Sequence, residues 1–254
     1  MIVLSKRLQA VASMVTPGKR PADVGCDHGY VPIYLVQSGI AQTVLAMDVN
    51  EGPLSRAREN IEKYGLSGQI NTRLSDGLKN YQRAEANSLI IAGMGGLLIR
   101  DILEDAGHRG ILEDFDEMIL SPHSDGDVVR RALDFWGYTI DREIMLTDGG
   151  KYYTVIHSVK AEKPVLARER CPAAGPEDEA DYREQDDMYG GYLIRRKDPV
   201  LYQYLTQQLN DRMERYDRIR DLDTPGAKAH LPALEAELLR LQSVLKRFED
   251  GHKE

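Results

Sequence analysis

From about residue 20 to residue 137 the chain alternates short apolar runs with amphipathic segments, and few folds accept that rhythm. A strand-like run ends near Gly25, and TVLAMDV (43–49), QINTRLS (69–75), SLIIAGM (88–94) and EMILSP (117–122) follow it. Between them lie helical patterns: residues 31–38, then PLSRARENIEKYG, LLIRDILEDAG and DVVRRALDFWG, closed by Gly65, Gly107 and Gly137. Strands separated by helices of this length pair in parallel and carry helices on both faces. Residues 4–15 place Leu4, Leu8, Val11, Ala12 and Val15 at helical spacing and stop at Thr16-Pro17-Gly18, which predicts a leading helix. YTIDREIML and YYTVIHSVK lie too close together for a crossover helix, so they are expected as an antiparallel hairpin at one edge. The expected fold class is α/β, a Rossmann-like sheet over residues 1–160.

After Lys160 the character changes. KPVLARERCPAAGPEDEADYREQDD is rich in proline, alanine and acid, and reads as a linker or mobile surface segment. Two long helical patterns follow, separated by DTPGAKAH. In the second, Leu231, Leu234, Leu238, Leu241, Leu245 and Phe248 recur at heptad spacing; the first carries Tyr202, Leu205, Leu209, Tyr216 and Ile219 on one stripe. The expectation for residues 161–254 is a linker and an antiparallel coiled-coil hairpin. The hairpin is compatible with pairing inside one chain or between two, hence with a monomer or a homodimer.

The stretch DVGCDHGYVP, starting at Asp23, has the form of a nucleotide-binding turn with Asp27 in place of its middle glycine. In a dinucleotide site, glycines let the backbone approach a pyrophosphate. Asp27 would repel that pyrophosphate. S-adenosylmethionine (SAM) has no phosphate; it carries a sulfonium and an ammonium, both of which a carboxylate suits. Asp48 closes the next strand, 23 residues after Gly25, where a carboxylate accepts hydrogen bonds from ribose hydroxyls. Val49 and Asn50 follow it into a helix. Asp76-Gly77 lies just past the third strand. Three acids at the ends of successive strands lie on the sheet edge where ligands bind.

Bulk properties narrow the class further. The 254 residues carry a net charge of −8, so any basic surface for nucleic acid must be local. No apolar run is long enough to cross a bilayer, and the N-terminus lacks a signal-peptide core. Cys26 and Cys171 have no CxxC partner, and no histidine–carboxylate set has zinc spacing. A reduced, cytoplasmic protein with no metal and no membrane partner is expected. Cys26 reads as a small residue in a tight loop.

AGMGGLLI (92–99) follows the fourth strand. Class I methyltransferases that modify exocyclic amino groups place a side-chain acceptor and an aromatic ring there, and this stretch has neither. Gly93, Gly95 and Gly96, with Met94 among them, read either as letting a planar base approach the backbone closely or as a glycine-rich turn into a helix. His123, after the fifth strand, reads as a possible substrate contact or as part of a capping loop.

LSKRL, ADVGCDHGYVP, AMDVNEGPL, SDGL, AGMGG and the DGGKYYTVI hairpin together closely resemble the TrmK family, bacterial tRNA (adenine-22-N1)-methyltransferases. The resemblance is dense over residues 1–160 and looser through YGGYLIRRKDPVLYQYL into the tail. It departs at DHGYVP, where family members often read DHAYLP, and in the acidic stretch before Tyr189. It implies a SAM-dependent enzyme, tRNA as partner, and a helical tail that helps hold the RNA. Adenine N1 has a lone pair, so the chemistry requires mainly positioning. On this reading Asp27 or His28 faces the reaction zone and Gly93 to Gly95 line the base slot. Gly25, Asp27, His28, Asp48, Val49, Asn50, Asp76, Gly77 and Gly93 bind cofactor, and Arg7 folds over it, touches RNA phosphate or forms a surface ion pair. A small-molecule methyltransferase and a non-catalytic SAM- or tRNA-binding module are the alternatives.

Overall fold

The computed structural model describes residues 1–161, 176–222 and 224–249, and the chain divides into two compact units, Met1–Pro172 and Ala173–Glu254. The first unit holds seven strands in one sheet. They are β1 (Pro21–Val24), β2 (Val44–Asp48), β3 (Ile70–Leu74), β4 (Ser88–Ala92), β5 (Glu117–Ser121), β6 (Tyr138–Asp148) and β7 (Lys151–Lys160). Their order is β3-β2-β1-β4-β5-β7-β6; the first five run parallel, and β7 is antiparallel to both β5 and β6. The helices are α1 (Lys6–Met14), α2 (Tyr30–Gln37), α3 (Glu51–Lys63), α4 (Gly96–His108) and α5 (Gly126–Phe135).

Side chains alternate between two cores, as period-2 strands covered on both faces require. Leu45, Met47, Leu89, Ile91, Met118 and Leu120 pack with α4 and α5 residues such as Ile99, Leu103, Val129 and Leu133. Val44, Ala46, Ile90 and Ile119 pack on the other side with Val11, Ile33, Leu35, Leu54 and Ile61 of α1 to α3. Leu45, Met47, Leu89 and Ile91 in particular read as apolar runs because their strands are covered twice. The β6–β7 tip is a two-residue turn, Gly149-Gly150, with φ of +56° and +76°, the left-handed pair that a tight hairpin turn needs.

In the second unit, α6 (Pro176–Tyr189), α7 (Gly191–Arg195), α8 (Pro199–Ile219) and α9 (Pro225–Glu249) are all helical. The linker expected up to residue 187 is therefore a correction: from Pro176 onward that stretch is helix, while residues 162–175 lie outside the described set. Tertiary contacts outweigh its polar composition. Gln185 is fully buried and bonds Ser243 of α9, while the Arg247 guanidinium lies 4.5 Å from the Tyr182 ring centroid and bonds Gln185 and Asp186. The pairs Tyr202–Phe248, Arg212–Glu237 and Tyr216–Glu235 run in opposite directions along α8 and α9, so these helices are antiparallel. Val244, outside the heptad stripe, is fully buried, and α9 also packs against α7 and bonds to α6.

Candidate active site

The sheet changes direction of winding at β1, between β2 and β4, and the carboxyl ends of these strands open onto a cleft of about 400 Å³. Its floor is the loop from β1 to α2. Gly25, Asp27 and Gly29 all have positive φ, at +81°, +46° and +72°. Asp27 therefore keeps the left-handed backbone that a glycine would supply at the middle of the turn, and adds a carboxylate. Aspartate is among the few L residues that tolerate this conformation. Gly25 is favoured by its φ of +81°, while the Met94 Cε, 2.4 Å from where a Cβ would stand, is the end of a flexible side chain that could move aside.

Asp48 is nearly buried at the end of β2, and both its oxygens are engaged. Oδ1 accepts the Asn50 N–H at 2.9 Å and Oδ2 accepts the Asp27 N–H at 3.3 Å, which ties the β1 loop to the start of α3. The Asn60 amide donates to the His28 carbonyl at 3.0 Å and fastens the same loop to α3 from the other side. The His28 ring stacks on Tyr30, with centroids 5.2 Å apart and planes at 11°, and its Nε2 is 3.6 Å from Asp27 Oδ1. The Asp27 side chain is 65% exposed at the rim. Past β3, the Ser75 hydroxyl donates to the Gly77 carbonyl and accepts from Asn80 N–H, which fixes the turn carrying Asp76. One Asp76 oxygen accepts from Lys79 Nζ at 2.6 Å. Val49 and Gly77 line the cleft beside it.

The opposite wall comes from the β4–α4 and β5–α5 loops, which are laced together. Gly93 N–H donates to Ser121 O, His123 N–H to Met94 O and Gly96 N–H to Ser124 O. Gly93 and Met94 line the cleft, Met94 with its side chain packed on the α4–α5 core. Gly95 is placed elsewhere: it caps α4, and a Cβ on it would meet Ser124 Oγ at 3.3 Å. Gly96 is needed for packing, since its Cβ would lie 2.2 Å from the Asp125 carbonyl oxygen. Above Gly93 stands Arg7. Its Nη1 donates to His123 Nε2 at 3.0 Å, its guanidinium lies 5.4 Å from the Tyr153 ring centroid, and its backbone N–H donates to Asp148. A Cβ on Gly93 would meet Arg7 Nη1 at 3.2 Å, so this glycine makes room for the guanidinium.

Residues that pattern reasoning left out also line the cleft: Asp23, Tyr30 and Ser75. Tyr30 carries a readable signal, since DHGY puts it at the first position of α2. Tyr153, from the β6–β7 hairpin, packs its ring against Arg7 and His123, behind the wall that Gly93 belongs to. Burial, and then Asp48, push the Asp23 carboxyl up to about 7. Burial pushes the Cys26 thiol far up, and Asp23, Asp48 and Asp27 add to it, so Cys26 is no nucleophile at neutral pH. His123 is lowered by burial, then by Arg7 and Lys151, which suits an Nε2 that accepts from a guanidinium.

An acid-lined cleft at the switch point of a Rossmann-like sheet, with an antiparallel strand inserted near the edge, defines a methyltransferase domain, and residues 4–156 match the family model described by that name. At closer range, the chain is 31% identical to the tRNA (adenine(22)-N(1))-methyltransferase of Bacillus subtilis (strain 168), over 95% of this chain and 97% of the relative. The crystal structure of the B. subtilis M1A22 tRNA methyltransferase TrmK superposes with a TM-score of 0.78 at 30% identity, covering 96% of this chain and all of that one. A Streptococcus pneumoniae putative tRNA (m1A22) methyltransferase, in complex with S-adenosyl-L-methionine, gives 0.77 at 29% identity with the same coverage. The chain belongs to the tRNA (adenine-22-N1)-methyltransferase family.

Proposed function

We propose that this chain methylates N1 of adenine 22 in tRNA, in the cytoplasm, with SAM as donor. The observation that carries the reading is the convergence of Asp27, Asp48 and Asp76 on one cleft whose central turn position holds a left-handed aspartate. The donor set fits a cationic, phosphate-free cofactor: carboxylates replace the glycine amides that a pyrophosphate would need. On this reading Gly25, Asp27, His28, Asp48, Val49, Asn50, Asp76, Gly77 and Gly93, which line the cleft, hold it, with Arg7 at the rim. Each Asp48 oxygen already accepts one N–H and keeps a lone pair for a hydroxyl donor. When bound, SAM supplies a methyl group on an electrophilic sulfonium.

The chain's own part is positional and electrostatic. Adenine N1 attacks with its lone pair, so no residue has to remove a proton from it. Asp27, exposed at the rim, offers negative charge where the methylated base becomes cationic. His28 is held between Asp27 and Tyr30 and sets the shape of that rim. N1 lies on the pairing edge, so the target base must enter unpaired.

Transfer of labelled methyl from SAM to an unmodified tRNA transcript with adenine at position 22, against the same transcript with guanine there, tests this. Label in the adenine transcript alone, recovered as 1-methyladenosine, supports the reading. SAM binding without transfer to either transcript overturns the substrate.

A further inference from the structure

Asp23 stands at the base of the cleft with only 4% of its surface exposed. Asp48, at the end of the adjacent strand β2, is also buried, and each of its oxygens accepts a backbone N–H bond. Asp23 has no such support: among the described residues none donates a hydrogen bond to its carboxylate. Burial without a donor disfavours the charged form of Asp23, and the charge of Asp48 on the neighbouring strand adds to that. A cation brought into the cleft reverses that balance.

We propose that Asp23 carries a proton in part of the free enzyme near neutral pH and releases it to solvent when the cationic methyl donor binds, so that donor affinity is linked to pH through this residue. The inference rests on the SAM reading above. The raised carboxyl, about 7 in the free protein, agrees with it. The other charged or titratable groups facing the cleft are Arg7, Asp27, His28, Tyr30, Asp76 and His123, with Cys26 in the loop itself. Arg7 is hydrogen-bonded to His123, Asp76 to Lys79, and Cys26 keeps its proton.

The test is calorimetric titration of SAM into the full chain at about pH 7, in buffers of different ionisation enthalpy. About half a proton released per SAM bound is expected, with affinity about eightfold weaker at pH 6 than at pH 7.5. Asp23→Asn should release almost none and lose most of that pH dependence. Infrared difference spectra of the unaltered chain, with and without SAM near pH 6.5, should show loss of a protonated-carboxyl band, which keeps the test open if Asp23→Asn fails to fold. No proton release, equal release from Asp23→Asn, or no change in the carboxyl band overturns the proposal. Absence of SAM binding at every pH overturns the cofactor reading itself.

Discussion

The carboxylate of Asp48 accepts the backbone N–H of Asp27, 21 residues earlier in the chain, and that of Asn50 at the cap of α3. One side chain thus fixes both the anionic turn and the start of the next helix. Asp48→Asn leaves one of these donors with a poorer partner and removes the charge. Hydrogen bonds to a charged group contribute about 1.5–3 kcal/mol, so SAM affinity should fall about 10- to 100-fold. Calorimetric titration checks this, and unchanged affinity would remove Asp48 from the cofactor site.

Gly96 sits where the β4–α4 loop crosses the β5–α5 loop, and backbone atoms of Ser124 and Asp125 lie less than 3 Å from where its Cβ would stand. Backbone cannot step aside as a flexible side chain can. Gly96→Ala should therefore lower the melting temperature by several degrees, from strain of about 1–3 kcal/mol. Gly18→Ala, with no atom within 4 Å of its Cβ, meets only the left-handed φ and should cost about 1–2 kcal/mol at most. Equal melting temperatures for the wild type and Gly96→Ala would contradict the packing at this crossing.

A second cluster lies at the far end of the sheet. His157 is buried between Glu117 and Asp141, and Glu117 also accepts from Ser88 and from Thr16 N–H. Burial alone would raise Glu117, but the bonds from His157, Thr16 and Ser88 outweigh it and hold it near 2. Burial alone would lower His157, and its two carboxylate partners raise it instead. A depressed acid stabilises above its unfolded value of 4.5 and loses that contribution as pH falls toward 2; a raised base stabilises below 6.5 and loses it as pH rises. Both contributions are complete between those values. Denaturant unfolding across pH should show a decline above 6.5 that His157→Gln lacks, and the same slope in that variant would refute the assignment.

The Asp148 carboxylate takes the Arg7 backbone N–H, whereas the Arg7 guanidinium is held by a histidine nitrogen and a tyrosine face, with no carboxylate bonded to it among the described residues. Its charge therefore remains available to an anionic group at the cleft mouth. Arg7→Ala should weaken SAM binding about tenfold, the loss of one charge-assisted contact. If SAM binding holds while the KM for tRNA rises, Arg7 belongs to the RNA side of the site.

The parallel sheet was legible because its central strands are covered twice, which leaves apolar runs such as SLIIA and EMILS, and glycines punctuate the helices. Asp48 and Asp76 were legible from their place after strands. Asp23 was hidden, because nothing in DVG distinguishes a buried carboxyl without donors from an exposed one. The group of Arg7, His123 and Tyr153 joins residues more than 100 positions apart, which no local pattern links. Gly95 and Gly96 look alike in AGMGG, and only the backbone of Ser124 and Asp125 separates a tolerant position from an intolerant one. Helix α6 was missed because composition argued for a linker while contacts with α9, such as Gln185 on Ser243, decided the outcome.

The left-handed Asp27 is central to the site, and Asp27→Gly tests its part most directly. Glycine adopts φ of +46° freely, so the turn survives and only the carboxylate is lost, whereas alanine would add backbone strain. Single-turnover methyl transfer to adenine-22 tRNA at saturating SAM, measured alongside the melting temperature, separates the two roles. The expected result is a melting temperature within a few degrees of the unaltered chain and transfer at least about 100-fold slower. Near-normal transfer by the folded variant would contradict it, and would leave Asp27 as a turn residue with no part in the chemistry.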